Sequence, residues 1–104
     1  MTSMSELPFE YSNGFTDADN NWRTSFIKCG KVIMVRINCK CSELIPVNSQ
    51  RNVIYTDINI QKDFIIMVTY GIMTFYASGY LAISAQQEIP ANNWIHGYFF
   101  ALLN

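Results

Sequence analysis

His96 is the sole histidine of this 104-residue chain, and Cys29, Cys39 and Cys41 are its only thiols. These side chains most readily carry nucleophilic or metal chemistry, so their surroundings decide which reactions are open. No Gly-x-Ser-x-Gly surrounds any serine. No phosphate-binding glycine loop and no metal-ligand box is present. Cys39 and Cys41 stand two apart, which on a strand points them the same way rather than at each other. Three cysteines make a poor disulfide framework. A zinc site needs more ligands than one imidazole and three dispersed thiols provide. The cysteines therefore read as small buried hydrophobes of a chain made in a reducing cytoplasm. A lone histidine on an aromatic strand is more often a packed, hydrogen-bonded residue than a catalyst. Asp57, Asp63 and Glu88 are scattered, and a glycosidase-type carboxylate pair would have to be assembled from separate strands. The chain reads as a non-enzyme with no cofactor and no metal.

Ligand binding is the stronger reading. Sugars pack their C–H faces on aromatic rings while planar polar groups bond their hydroxyls. Tyr55, Asp57 and Asn59 share the outer face of one expected strand, and Arg51 lies in the loop before it. Trp94 and His96 share a strand face just after a turn. The candidate saccharide-binding residues are thus Arg51, Tyr55, Asp57, Trp94 and His96.

The element that organises the chain is its last, residues 94–103, which is aromatic and uncharged. The turn Ile89-Pro90-Ala91-Asn92-Asn93 leads into it. As a strand it puts Trp94, His96, Tyr98, Phe100 and Leu102 on one face and Ile95, Gly97, Phe99, Ala101 and Leu103 on the other. Both faces are largely apolar, which suggests a position in the middle of a sheet. Residues 64–70 share this two-sided character. Earlier, residues 22–28 and 31–40 form a hairpin around Cys29-Gly30. In its second arm Ile33, Val35, Ile37 and Cys39 face one way and Met34, Arg36, Asn38 and Lys40 the other, the alternation of a half-buried scaffold strand. Residues 42–52 read as a loop broken at Ile45-Pro46. Over residues 53–60, Ile54, Thr56, Ile58 and Ile60 are expected inside and Val53, Tyr55, Asp57 and Asn59 outside. Ala77-Ser78-Gly79 is a further hairpin signal.

No stretch carries a long helical period, and β-branched and aromatic residues dominate the runs. The expected fold is all-β: one small antiparallel β-sandwich or jelly-roll-like barrel. Residues 1–21 read as a polar N-terminal tail or linker, with Phe9, Tyr11 and Phe15 available to pack on the domain at 22–104. A net charge of −1 lacks the basic footprint of a nucleic-acid binder. The apolar runs are too short and too interrupted to insert into a membrane as helices. The first residues show no secretory signal. Charged residues make up only 14%, below the rough quarter usual in soluble domains. Two strands with two apolar faces exceed what one small sandwich can hide, at about 1.5–3 kcal/mol for each large side chain left wet. A second subunit is the simplest cover; the alternative is that the tail covers one face.

The order of these signals is similar to the C-terminal head domain of receptor-binding, tail-fibre or baseplate proteins of siphophages that infect Gram-positive bacteria. The resemblance rests on Trp22 ending a polar lead, on Lys28-Cys29-Gly30-Lys31-Val32-Ile33-Met34-Val35, and on the Ile45-Pro46 loop. It continues through Ser78-Gly79-Tyr80-Leu81-Ala82-Ile83 and Ile89-Pro90-Ala91-Asn92-Asn93-Trp94, and so covers 22–104. It implies a homotrimer that binds host cell-surface saccharide near subunit boundaries, with upstream baseplate or tail proteins as further partners. It implies a virion-tail location after synthesis in the host cytoplasm. Members usually carry a longer N-terminal part, and the Leu-Pro segment that often precedes their middle strands is replaced here by Glu43-Leu44-Ile45-Pro46. Other readings from the residues are a structural virion or assembly module without ligand, and a small lectin or sugar-active enzyme unrelated to phage.

Overall fold

A computed structural model describes residues 4–104. Ten strands follow in chain order: β1 (Met4–Glu6), β2 (Glu10–Tyr11), β3 (Phe15–Asp17), β4 (Ser25–Cys29), β5 (Val32–Cys41), β6 (Gln50–Tyr55), β7 (Phe64–Val68), β8 (Gly71–Phe75), β9 (Tyr80–Ala85) and β10 (Trp94–Leu102). They form two five-stranded antiparallel sheets. The first runs β1-β4-β5-β10, with β3 beside β5 beyond the end of β4; the second runs β2-β6-β9-β8-β7. The fold is the expected antiparallel β-sandwich.

The turns are where local sterics demand them. Gly30 (φ 63°) closes the β4–β5 hairpin. Gly79 (φ 109°) closes β8–β9, and a Cβ there would sit 2.6 Å from the Ile58 carbonyl oxygen. The turn before β10 is bonded from Asn93 N–H to the Pro90 carbonyl (3.3 Å) with Asn92 at φ 63°.

The two sheets enclose one core. Ile33, Val35 and Ile37 of β5 meet Met73 and Phe75 of β8 and Leu81 and Ile83 of β9 in the buried cluster. Three rings run through it, Phe26 to Phe75 (5.9 Å between centroids) and Phe75 to Phe99 (5.8 Å), at the edge-to-face angles aromatic pairs favour.

Four expectations are corrected. Residues 4–17, read as part of a tail or linker, supply three short strands: β1 and β3 join the first sheet and β2 the second. Phe15 and Ala18 are buried, so this segment is part of the sandwich; residues 1–3 lie outside the described residues. Second, β10 is at the edge of its sheet, laddered only to β5, and its Tyr98, Phe100 and Leu102 are 62%, 49% and 54% exposed. Its inward side chains, Ile95, Phe99 and Ala101, are buried as a single-faced strand requires. Third, Val53 is buried beside Ile54, because a bulge between Asn52 and Ile54 breaks the alternation. The residues 42–52 loop also gives way to β6 at Gln50.

The free edges of β7 and β10 lean on each other. Thr69 exchanges bonds with His96: its N–H donates to the His96 carbonyl (3.2 Å), and its Oγ1 accepts from the His96 N–H (3.1 Å). At the other end the Gln61 N–H donates to the Leu102 carbonyl (3.0 Å). Gly97 makes this approach feasible, since a Cβ there would lie 2.5 Å from Val68 Cγ1.

Candidate functional site: an aromatic cleft on the outer face of the first sheet

The outer face of the first sheet is built from two parallel rows. On β5, alternation sends Val32, Met34, Arg36, Asn38 and Lys40 outward. Register sets Leu102, Phe100, Tyr98, His96 and Trp94 of β10 directly opposite them. Neighbouring strands lie about 4.8 Å apart, so each pair is in contact range. The face has two halves. Val32, Met34, Phe100 and Leu102 make one end apolar. Arg36, Asn38 and Lys40 facing Tyr98, His96 and Trp94 make the other end a row of donors beside a row of rings.

A shallow, wide-open cleft of about 510 Å³ occupies the second half, lined by Trp22, Arg36, Ile37, Asn38, Trp94, His96, Gly97 and Tyr98. Trp22 comes from the 18–24 loop, which is tied to β5 at several points. The Ala18 N–H donates to the Asn38 carbonyl (3.0 Å), the Thr24 Oγ1 accepts from the Asn38 N–H (3.0 Å), and the Arg36 Nε–H donates to the Arg23 carbonyl (3.2 Å). Asp17 holds the loop's base: one carboxylate oxygen accepts from the Tyr11 hydroxyl (2.6 Å) and from the Thr24 N–H (3.1 Å). Trp22 is 56% and Trp94 41% exposed, so both offer rings to a ligand.

His96 is oriented by its cross-strand partner. Its Nδ1 lies 2.5 Å from Asn38 Oδ1, and Trp94 packs edge-on against its ring at 5.8 Å. A carbonyl oxygen only accepts, so this pairing favours the tautomer of a neutral ring with the proton on Nδ1 and Nε2 as an acceptor. Trp94 is bracketed by the β7–β8 turn, which bonds His96 through Thr69 and Asn93 through the Tyr70 hydroxyl (Nδ2 donating, 2.7 Å). Tyr70 adopts φ 72°, an uncommon conformation for a bulky residue.

The sequence-derived candidates fall into two groups on different sheets. Trp94 and His96 share the cleft. Arg51 is half-buried on β6 opposite Ile83. Tyr55 ends β6, stacked on Tyr80 at 6.1 Å, with its hydroxyl accepting from Asn52 Nδ2 (2.9 Å). Tyr80 stacks in turn on Tyr76 at 4.5 Å. Exposed Asp57 and Tyr55 line a separate pocket of about 380 Å³ with Glu10 and Phe9. Sequence reasoning did not bring Trp22, Arg36, Asn38 and Tyr98 together with Trp94 and His96. The alternation that put Arg36 and Asn38 on one face was visible; the register that sets them beside Tyr98 and His96 was not.

Two groups titrate far from their ordinary values, both for structural reasons. Burial, reinforced by the neighbouring Cys41 and Asp17, pushes the Cys39 thiol up to about 12. Burial and the Asp17 hydrogen bond raise the Tyr11 hydroxyl. Among the described residues no group of three or more His, Cys, Asp or Glu could hold a metal ion. Among them, too, no helix is long and apolar enough to cross a membrane.

No family model, no curated protein and no solved structure matches this chain.

Proposed function

We propose that this protein is a non-catalytic adhesion head that binds a cell-surface saccharide, of the kind carried on phage tails, and that it works as a homotrimer. The observation that carries the reading is the cleft in which the exposed rings of Trp22 and Trp94 stand with Arg36, Asn38 and His96. Exposed indole rings suit the C–H faces of a pyranose. Oriented amide, imidazole and guanidinium groups suit its hydroxyls. The test is a glycan array and a cell-wall pull-down with wild type, Trp22→Ala and Trp94→Ala. Binding by the wild type that both variants lose supports the reading; a wild type that binds no saccharide overturns it.

The homotrimer rests on the other half of the same face. Met34, Phe100 and Leu102, with Met4 at the far edge, form an apolar surface beside the cleft. A pocket of about 250 Å³ lined by Val32, Phe64, Phe100 and Leu102 extends it into the β7–β10 seam. Contiguous exposed apolar surface of this sort marks interaction sites, and neighbouring subunits would place the cleft at their boundary. This half also favours a second reading, a virion assembly module without ligand. A trimer with no affinity for any saccharide or cell wall would select it.

A further inference from the structure

We infer that the Trp22–Trp94 cleft is selective for an anionic saccharide, one carrying a carboxylate or phosphate group, and that Arg36 is the residue that takes the anion. The inference rests on the saccharide reading and narrows it to a chemical class.

The wall of the cleft contains a guanidinium and no carboxylate. Arg36 stands opposite Tyr98, between Ser25 of β4 and β10, and is exposed. Its Nε–H is spent on the Arg23 carbonyl at 3.2 Å. That bond uses Nε–H and leaves the terminal nitrogens to a ligand. The planar fork they form matches the two oxygens of a carboxylate or phosphate, and such charge-assisted pairs are roughly twice as strong as neutral ones. Lys40 lies on the same face of β5 two alternations away, opposite Trp94. At about 3.4 Å per residue the two cations are separated by roughly 14 Å along the strand. The row of Tyr98, His96 and Trp94 runs beside them over the same length.

Arg36 is the one cation in the wall of the cleft, and Lys40 stands outside it. The chain carries a net charge of −1, and the pocket beside Tyr55 is lined by Glu10 and Asp57 instead. One acidic pocket and one basic cleft on different sheets would sort an anionic ligand to the cleft alone. A neutral sugar would find the same rings but would leave the guanidinium without a counter-charge.

The experiment titrates the intact chain with three probes: trigalacturonate, which bears carboxylates; mannose 6-phosphate, which bears a phosphate; and neutral maltotriose. Binding is read by tryptophan fluorescence and calorimetry. The expected result is that at least one acidic probe binds about tenfold or more tightly than maltotriose, with an affinity that falls as salt rises. Arg36→Gln should remove that preference, and Arg36→Lys should restore part of it, since lysine keeps the charge and loses the fork. Which acidic probe binds distinguishes a uronate from a phosphosugar. Equal or tighter binding of maltotriose, or an acidic preference unchanged in Arg36→Gln, overturns the inference and leaves the saccharide reading standing. Failure of all three probes, together with a blank glycan array, overturns both. Circular dichroism confirms that the Arg36 variants, altered at an exposed position, remain folded.

Discussion

Asn38 Oδ1 lies 2.5 Å from His96 Nδ1, across the antiparallel pairing of β5 with β10. One residue comes from the strand that reads most plainly as scaffold, and the other is the only imidazole in the chain. The bond is therefore expected to set the tautomer. Long-range nitrogen–proton NMR correlations should place the proton of the neutral ring on Nδ1 in wild type. Asn38→Ala should shift the population toward the Nε2–H form. The same variant should lose about 1 kcal/mol of stability, the usual scale of one hydrogen bond. An unchanged tautomer would show that Asn38 does not orient the ring.

The two groups of sequence-derived candidates should separate in binding experiments. Trp94→Ala alters a partly exposed ring of the cleft and should weaken saccharide binding about tenfold or more, while stability changes by about 1 kcal/mol or less. Tyr55→Ala and Asp57→Ala alter the other sheet's pocket and should leave that affinity unchanged. Loss of binding in the Asp57 variant would move the site to the second sheet.

Assembly should respond to Phe100, which is 49% exposed on the apolar half of the face. Sedimentation of wild type should report three times the chain mass of 12.0 kDa. Phe100→Glu should give a folded monomer, because a charge buried in an apolar contact costs several kcal/mol. A wild-type monomer at high concentration would refute the proposed interface.

Gly97→Ala should destabilise the fold by about 1–3 kcal/mol, as overpacking does, because the new methyl would meet Val68 Cγ1 at 2.5 Å and Ile66 Cδ1 at 3.1 Å. Denaturant melts measure the loss. Hydrogen exchange should show it concentrated at the Thr69–His96 bonds that hold β7 to β10.

Cys39 gives the pH dependence. Its thiol is raised from 9.0 to about 12 in the folded chain, so between those values the unfolded chain releases a proton that the folded chain retains. Stability is full below about pH 9 and falls as pH climbs toward 12. Tyr11 adds in the same direction above its ordinary 10.0. Cys39→Ala should flatten the alkaline limb of a stability–pH curve. Native Cys39, fully buried, should resist alkylation at pH 8, whereas partly exposed Cys29 should react.

Much of the fold is legible in the sequence. The alternation of Ile33, Val35, Ile37 and Cys39 against Met34, Arg36, Asn38 and Lys40, and the glycine turns at Gly30 and Gly79, determined strands, hairpins and the all-β class. They could do so because side-chain period and allowed φ are properties of a few adjacent residues. The bulge that buries Val53 beside Ile54, the edge position of β10, and the division of residues 4–17 between two sheets were decided only by the tertiary structure. So was the cleft. Arg36 meets Tyr98 and Asn38 meets His96 only after β10 pairs with β5 in one register. That register is chosen by packing of Phe99 and Ile95 into a core formed by distant segments, and a one-residue slip would turn every one of those side chains to the opposite face.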